Sequence, residues 1–258
     1  PDIVTWHELG DNFFSGWNSR YDDYRSIEKE LGIGPLEINI NEYARPRDPS
    51  NQGILLQFLA KFERSKVYGA LPYWHMADNL NDLVVESNKV NGAWWLYKWT
   101  AEMKGQQTVQ VTPPNADAMG LEGIATMNKA KKQAQVVFGG VNGSADLVLK
   151  GINGHMEFGD TVHVTVWESA WTGFDGAAGN PVVVHEKDYP VVDGKVVVPV
   201  SDMHNMSAYK AIVTPATAKT TYPKQAWKKI YEAENAELSG RATVYDLENS
   251  SAYIEWPT

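Results

Sequence analysis

Near residue 105 the apolar residues of this 258-residue chain change their period, and the change divides it into two differently built parts. Before that point short apolar strands alternate with helical stripes. Ile3-Val4-Thr5-Trp6 reads as a strand, and Tyr21, Tyr24, Ile27 and Leu31 recur at helical spacing until Gly32 and Gly34 stop the helix. A second strand, Leu36-Glu37-Ile38-Asn39-Ile40-Asn41-Glu42, leads to a second helix with Ser50 as the expected N-cap and Ile54, Leu55, Phe58, Leu59 and Phe62 as one apolar stripe. A third strand is expected over 67–74 and a third helix, carrying Trp94, Trp95 and Trp99, over 93–103. Such repetition implies parallel strands joined by right-handed crossovers. Three of them neither close a barrel nor bury both faces of an open sheet, so further strands are expected upstream of Pro1.

After residue 105 the period is two. Short strands are expected over 108–111, 134–138, 145–149, 161–167, 182–184, 195–200 and 209–213, and Asp193-Gly194 between valine pairs is a strong hairpin signal. About seven such strands suggest an antiparallel sandwich. A third pattern opens near Ala226 with Tyr231-Glu232-Ala233-Glu234 and stops too soon for a core of its own. The expected class is α/β plus all-β: strand–helix units over 1–104, a sandwich over 105–222, and a linker with the start of another module over 223–258.

Charge narrows the partners. With 23 basic against 32 acidic residues the net charge is −9, without a Lys/Arg block, which argues against nucleic acid or an anionic membrane surface and fits a neutral ligand. No run of 18 apolar residues is present to span a membrane, and no leader-like segment precedes the first strand. The absence of cysteine removes disulfides, thiolate metal sites and cysteine nucleophiles. His7-Glu8 lacks a second histidine at zinc-protease spacing, and neither a Walker loop nor a dinucleotide fingerprint occurs, so no cofactor or metal is expected.

Three successive strand ends carry polar or aromatic groups suited to sugar chemistry. Glu42 ends the second strand, at the position where barrel folds place catalytic carboxylates. Its neighbours Asn41 and Tyr43 are expected to hold it ionised by hydrogen bonding. His7 ends the first strand and, between parallel neighbours, lies at the same mouth. Trp74, followed by His75, ends the third and offers a ring to the apolar face of a sugar. Glycosidic bonds are usually cut by two carboxylic groups, and Glu42 can supply the ionised one.

These segments, Asp2-Ile3-Val4-Thr5-Trp6-His7, Glu37-Ile38-Asn39-Ile40-Asn41-Glu42-Tyr43 and Ala70-Leu71-Pro72-Tyr73-Trp74, resemble strands six, seven and eight of the (β/α)8 barrel in clan A retaining glycoside hydrolases. Within that clan they are most similar to family 39, the β-xylosidase and α-L-iduronidase group, whose barrel is also followed by a β-sandwich. The resemblance implies that Glu42 is the nucleophile, that His7 contacts it or the substrate, and that Trp74 lies under the sugar, with Asn41, Tyr43 and His75 as substrate contacts. It implies a poly- or oligosaccharide substrate and a secreted or periplasmic place of work. The clan's acid/base glutamate ends strand four, which this chain does not contain, so the missing N-terminal part of the same protein is the expected partner and the chain alone is expected to be inactive. Tyr231-Glu232-Ala233-Glu234 is similar to the opening of carbohydrate-binding modules of families 6 and 35, whose glutamates can serve a structural calcium; no ordered ion is expected here. The alternative is a non-catalytic carbohydrate-binding or structural sandwich, with Trp167, Trp171 and Phe174 as its candidate aromatic row.

Overall fold

The computed structural model describes residues 2–46, 48–71, 83–85, 89–152 and 158–216, and the backbone of two short strands beyond them. The chain is mixed α/β with sheet predominating. Its first half runs β1 (Ile3–Glu8), α1 (Phe13–Glu30), β2 (Glu37–Tyr43), α2 (Gln52–Ser65) and β3 (Tyr68–Gly69), then a small antiparallel pair, β4 (Val84–Val85) and β5 (Lys89–Val90), and α3 (Gly92–Glu102). Strands β1, β2 and β3 form one parallel sheet in that order. The second half adds β6 (Gln107–Val109), β7 (Glu122–Asn128), β8 (Gln133–Gly139), β9 (Gly143–Lys150), β10 (Thr161–Ser169), β11 (Val182–Pro190), β12 (Lys195–Met203) and β13 (Ala208–Pro215). Six of these make an antiparallel sheet in the order β11-β10-β13-β8-β7-β6, and β12 pairs with β9 in a second layer. Farther on, β14 (Thr243–Tyr245) and β15 (Tyr253–Glu255) pair antiparallel.

Two cores follow from the two periods. In the first, Phe13, Phe14 and Trp17 of α1 meet Ile38, Ile40 and Tyr43 of β2 and Leu55, Phe58 and Phe62 of α2. The rings of Phe13 and Phe58 stack at 4.2 Å, and Phe62 stands edge-on to Tyr43 at 5.2 Å. Helix α1 therefore begins earlier than its tyrosines suggest, and Ile27 and Leu31, expected on its apolar stripe, are exposed. In the second core, alternate valines of β10 (Val162, Val164, Val166) and β12 (Val196, Val198, Val200) interdigitate between the layers. Asp193 and Gly194 both have positive φ, 51° and 68°, and Val192 and Lys195 exchange backbone hydrogen bonds across them, as a type I′ turn requires. The strands on either side nevertheless belong to different sheets, so this turn carries the chain from one layer to the other.

Helix α2 joins the two halves. Its apolar side serves the first core while its polar residues bind the second half: Gln52 Nε2 donates to the Ser169 carbonyl (2.9 Å), Gln57 Oε1 accepts from Gly120 N (2.9 Å), and Arg64 forks onto Glu122 (2.6 and 2.7 Å). Gly53 N donates to the Met206 carbonyl at 2.9 Å, and a Cβ there would lie 2.1 Å from the Asn205 carbonyl, so only glycine permits this approach. Lys61 is fully buried beside Glu122; burial pushes its ammonium below the usual lysine range against the pull of that carboxylate. Strand β7 lies in this contact, buried on both faces, and therefore shows none of the in–out alternation that exposes its neighbours to sequence reading.

Both later helices are capped by asparagine. Asn51, not Ser50, caps α2, its side chain accepting from Ile54 N at 3.2 Å, while Ser50 occupies the left-handed region at φ 68°. Asn91 caps α3, accepting from Trp94 N at 3.1 Å, and is itself buried. Asn91→Ala is expected to lower stability by about 1 kcal/mol, read as a lower denaturant midpoint at unchanged slope.

Candidate active site

Because β1 and β2 are parallel neighbours, their C-terminal ends lie side by side and open the same way. His7 and Glu42 are paired in register there, and His7 Nδ1 lies 3.3 Å from Glu42 Oε2. Their side chains are 47% and 32% exposed, so an incoming ligand can reach both. The imidazole thus stands beside the carboxylate and limits the directions in which it can turn.

The pairing depends on a β-bulge. Register runs Trp6 to Ile40 and then His7 to Glu42, which leaves Asn41 as an extra residue on β2. Ile38 and Ile40 point into the first core, so unbroken alternation would send Glu42 after them and Tyr43 to the open face. The bulge inverts this. Tyr43 is 1% exposed within the Phe58–Phe62 cluster, and its hydroxyl meets that of Tyr97 at 2.5 Å. Burial pushes both phenols well above their usual range. Tyr43, expected as a substrate contact and as a hydrogen-bonding neighbour of the carboxylate, thus points away from the site and anchors β2 from behind. Asn41 is exposed at the bulge.

His7 is anchored in the same manner. Trp6 packs on Trp17 and Tyr24 of α1, and Glu8, 5% exposed, accepts from Trp6 Nε1 (2.8 Å) and Arg20 Nη2 (2.7 Å). Each site residue is followed in sequence by one fixed in the opposite direction. After Tyr43 the chain turns through Ala44 at φ 86°, a conformation that costs a residue with a Cβ about 1–2 kcal/mol and persists only where its surroundings enforce it.

Trp74 and His75 lie outside the described residues, as do Glu232 and Glu234. The three aromatics of the second half do not form one exposed row. Trp167 packs against the first core with Lys210 Nζ over its ring, whereas Trp171 and Phe174 stand edge-on to each other at 5.8 Å in the loop after β10, with Phe174 exposed. Sequence reasoning missed Glu8, Asp11, Arg45 and Asp48, which brace the loops behind the site; the spacing of Arg45 and Asp48 was a signal for one pair, while nothing in the sequence marks the bond from Arg45 to Asp11.

No protein-family model matches the chain. It is 38% identical over 258 residues to a 3-O-alpha-D-galactosyl-alpha-L-arabinofuranosidase of Bifidobacterium longum subsp. longum, covering 95% of this chain and 23% of that protein. It is 37% identical over 264 residues to a 3-O-beta-L-arabinopyranosyl-alpha-L-arabinofuranosidase of Bifidobacterium pseudocatenulatum, covering 95% and 27%. The chain therefore spans about a quarter of the length of the curated relatives it matches. Among solved structures, N2152 from Neocallimastix frontalis matches with a TM-score of 0.77 at 31% identity, over 84% of this chain and 54% of that one. The GH39 enzyme from Xanthomonas axonopodis pv. citri has a TM-score of 0.53 at 14% identity, over 83% and 55%, a likeness of fold. By sequence the chain is a relative of glycoside hydrolases, and its fold is one found among them.

Proposed function

We propose that the chain is the C-terminal part of the catalytic region of a retaining glycoside hydrolase, with Glu42 as its nucleophile. In this reading residues 1–104 supply the last three strand–helix units of a (β/α)8 barrel, 105–222 the sandwich that follows, and 223–258 a linker and the start of a carbohydrate-binding module. The single observation that carries it is the 3.3 Å contact of His7 Nδ1 with Glu42 Oε2 at the open C-terminal end of two parallel strands. Glu42 attacks the anomeric carbon as the glycosidic C–O bond breaks. The leaving oxygen takes its proton from a glutamate in the rest of the protein, which then draws a proton from the water that releases the sugar. His7 fixes the attacking oxygen, and Trp74 and His75 line the sugar site. The names of the two arabinofuranosidases favour an α-L-arabinofuranoside bearing a further sugar at O3 as the substrate, met outside the cell or in the periplasm.

A mechanism-based 2-fluoro glycoside traps the covalent intermediate of a retaining enzyme. With the full-length protein and a 2-fluoro arabinofuranoside, mass spectrometry is expected to find one adduct, on the peptide containing Glu42. An adduct on a different carboxylate would refute the assignment.

A further inference from the structure

The loops that follow β1 and β2 are joined by one buried guanidinium. Arg45, three residues after Glu42, has a side chain only 9% exposed and uses three nitrogens at once. Nε and Nη2 fork onto the carboxylate of buried Asp48, the latter at 2.8 Å, and the backbone N–H of Arg45 donates to the same group at 3.3 Å. Nη1 crosses to Asp11 Oδ1 at 2.8 Å, and Asp11 lies four residues after His7. The face of the guanidinium rests over the Phe14 ring at 5.2 Å. A planar fork can satisfy two carboxylates in fixed directions, which a lysine ammonium cannot.

We propose that Arg45 is a positioning residue for the His7–Glu42 pair, acting through Asp48 and Asp11 and resting on the reading of Glu42 as the nucleophile. The Asp48 arm holds the segment after Glu42 against the left-handed turn at Ala44. The Asp11 arm ties that segment to the loop leaving His7. Register between the two strand ends is shifted by the bulge at Asn41 and only the pairs His7–Glu42 and Glu8–Tyr43 follow it, so the bridge between the loops adds a constraint that the ladder alone does not supply. Small displacements matter at this point, because a misplacement of about 1 Å can cost roughly 100-fold in rate.

The test is a double-mutant cycle read by ¹⁵N spectra of the histidine rings in the full chain at one fixed pH. Glu42→Gln displaces the His7 Nδ1 resonance by removing its carboxylate partner. The same displacement is then measured with Asp11→Ala, which removes the acceptor of the crossing arm at a side chain 73% exposed, and with Arg45→Lys, which keeps a charge beside Asp48. Taking the difference cancels the direct field of Asp11. The displacement is expected to fall below about half its original size in both backgrounds. Asp11→Ala should meanwhile move the melting temperature by no more than about 2 °C. An undiminished displacement with Asp11→Ala would overturn the proposal while leaving the paired site intact. If Glu42→Gln leaves the His7 resonance in place in the native background, the paired site itself fails.

Discussion

Replacing Glu42 by alanine in the full-length protein is expected to lower kcat by roughly 10⁴–10⁶-fold, the range seen when an attacking nucleophile is removed. The loss belongs to the chemical step. Glu42 ends a strand with its side chain on the open face, and its backbone is fixed by Tyr43 on the other face, so truncation at Cβ leaves the packed cluster untouched. KM should change far less than kcat, and the melting temperature should remain near that of the native protein. Azide, small enough to enter the vacated space, should restore turnover in the alanine variant and give a glycosyl azide of opposite anomeric configuration. Rate loss without rescue, accompanied by loss of folded protein, would assign Glu42 a structural role instead.

The largest effect on stability is expected at Phe58. Its ring is fully buried, stacks on Phe13 at 4.2 Å, and touches Phe14 and Tyr43 at 5.0 and 5.5 Å. It therefore fills the point where α1, α2 and β2 meet. Phe58→Ala removes a buried ring and leaves a cavity that rigid neighbours cannot close, at a cost of about 3–5 kcal/mol. For a chain of this size that corresponds to a melting temperature lower by about 10 °C. Phe58→Leu, which keeps most of the volume, should lose less than half as much. Equal losses for the two variants would mean that the cavity is not the cause. Because Tyr43 packs on the same ring, Phe58→Ala should also lower activity in the full-length protein, through Tyr43 and the bulge in front of it.

Residues whose burial is one-sided were legible. Ile38 and Ile40, the alternating valines of β10 and β12, and the stripe Leu55, Phe58 and Phe62 all show their period because one face of each element meets solvent or a polar partner. Strand β7 escaped notice because the second half covers one side and α2 the other, erasing the alternation. Buried charge was also illegible. Nothing in their local sequence distinguishes Arg64, Lys61 and Glu122 from solvated charges, because their contacts join residues about 60 apart, and the same holds for the contact of Arg45 with Asp11. The N-cap is Asn51 and not Ser50 because Ser50 takes the left-handed region while Asn51 takes the extended conformation from which a cap side chain reaches the helix N–H groups.

By itself the sequence determined that parallel strand–helix units precede an antiparallel β part, and that a histidine and a glutamate end two adjacent strands of the first. Local periodicity and strand polarity suffice for that, since they act over a few residues. Which way Glu42 faces was decided by tertiary structure alone. Counted by twos from Ile38, Glu42 belongs inside and Tyr43 outside. One extra residue at Asn41 reverses both, because burying the Tyr43 ring among Phe58, Phe62 and Tyr97 stabilises the shifted register more than an unbroken ladder would, and those partners come from helices that the strand sequence does not contain.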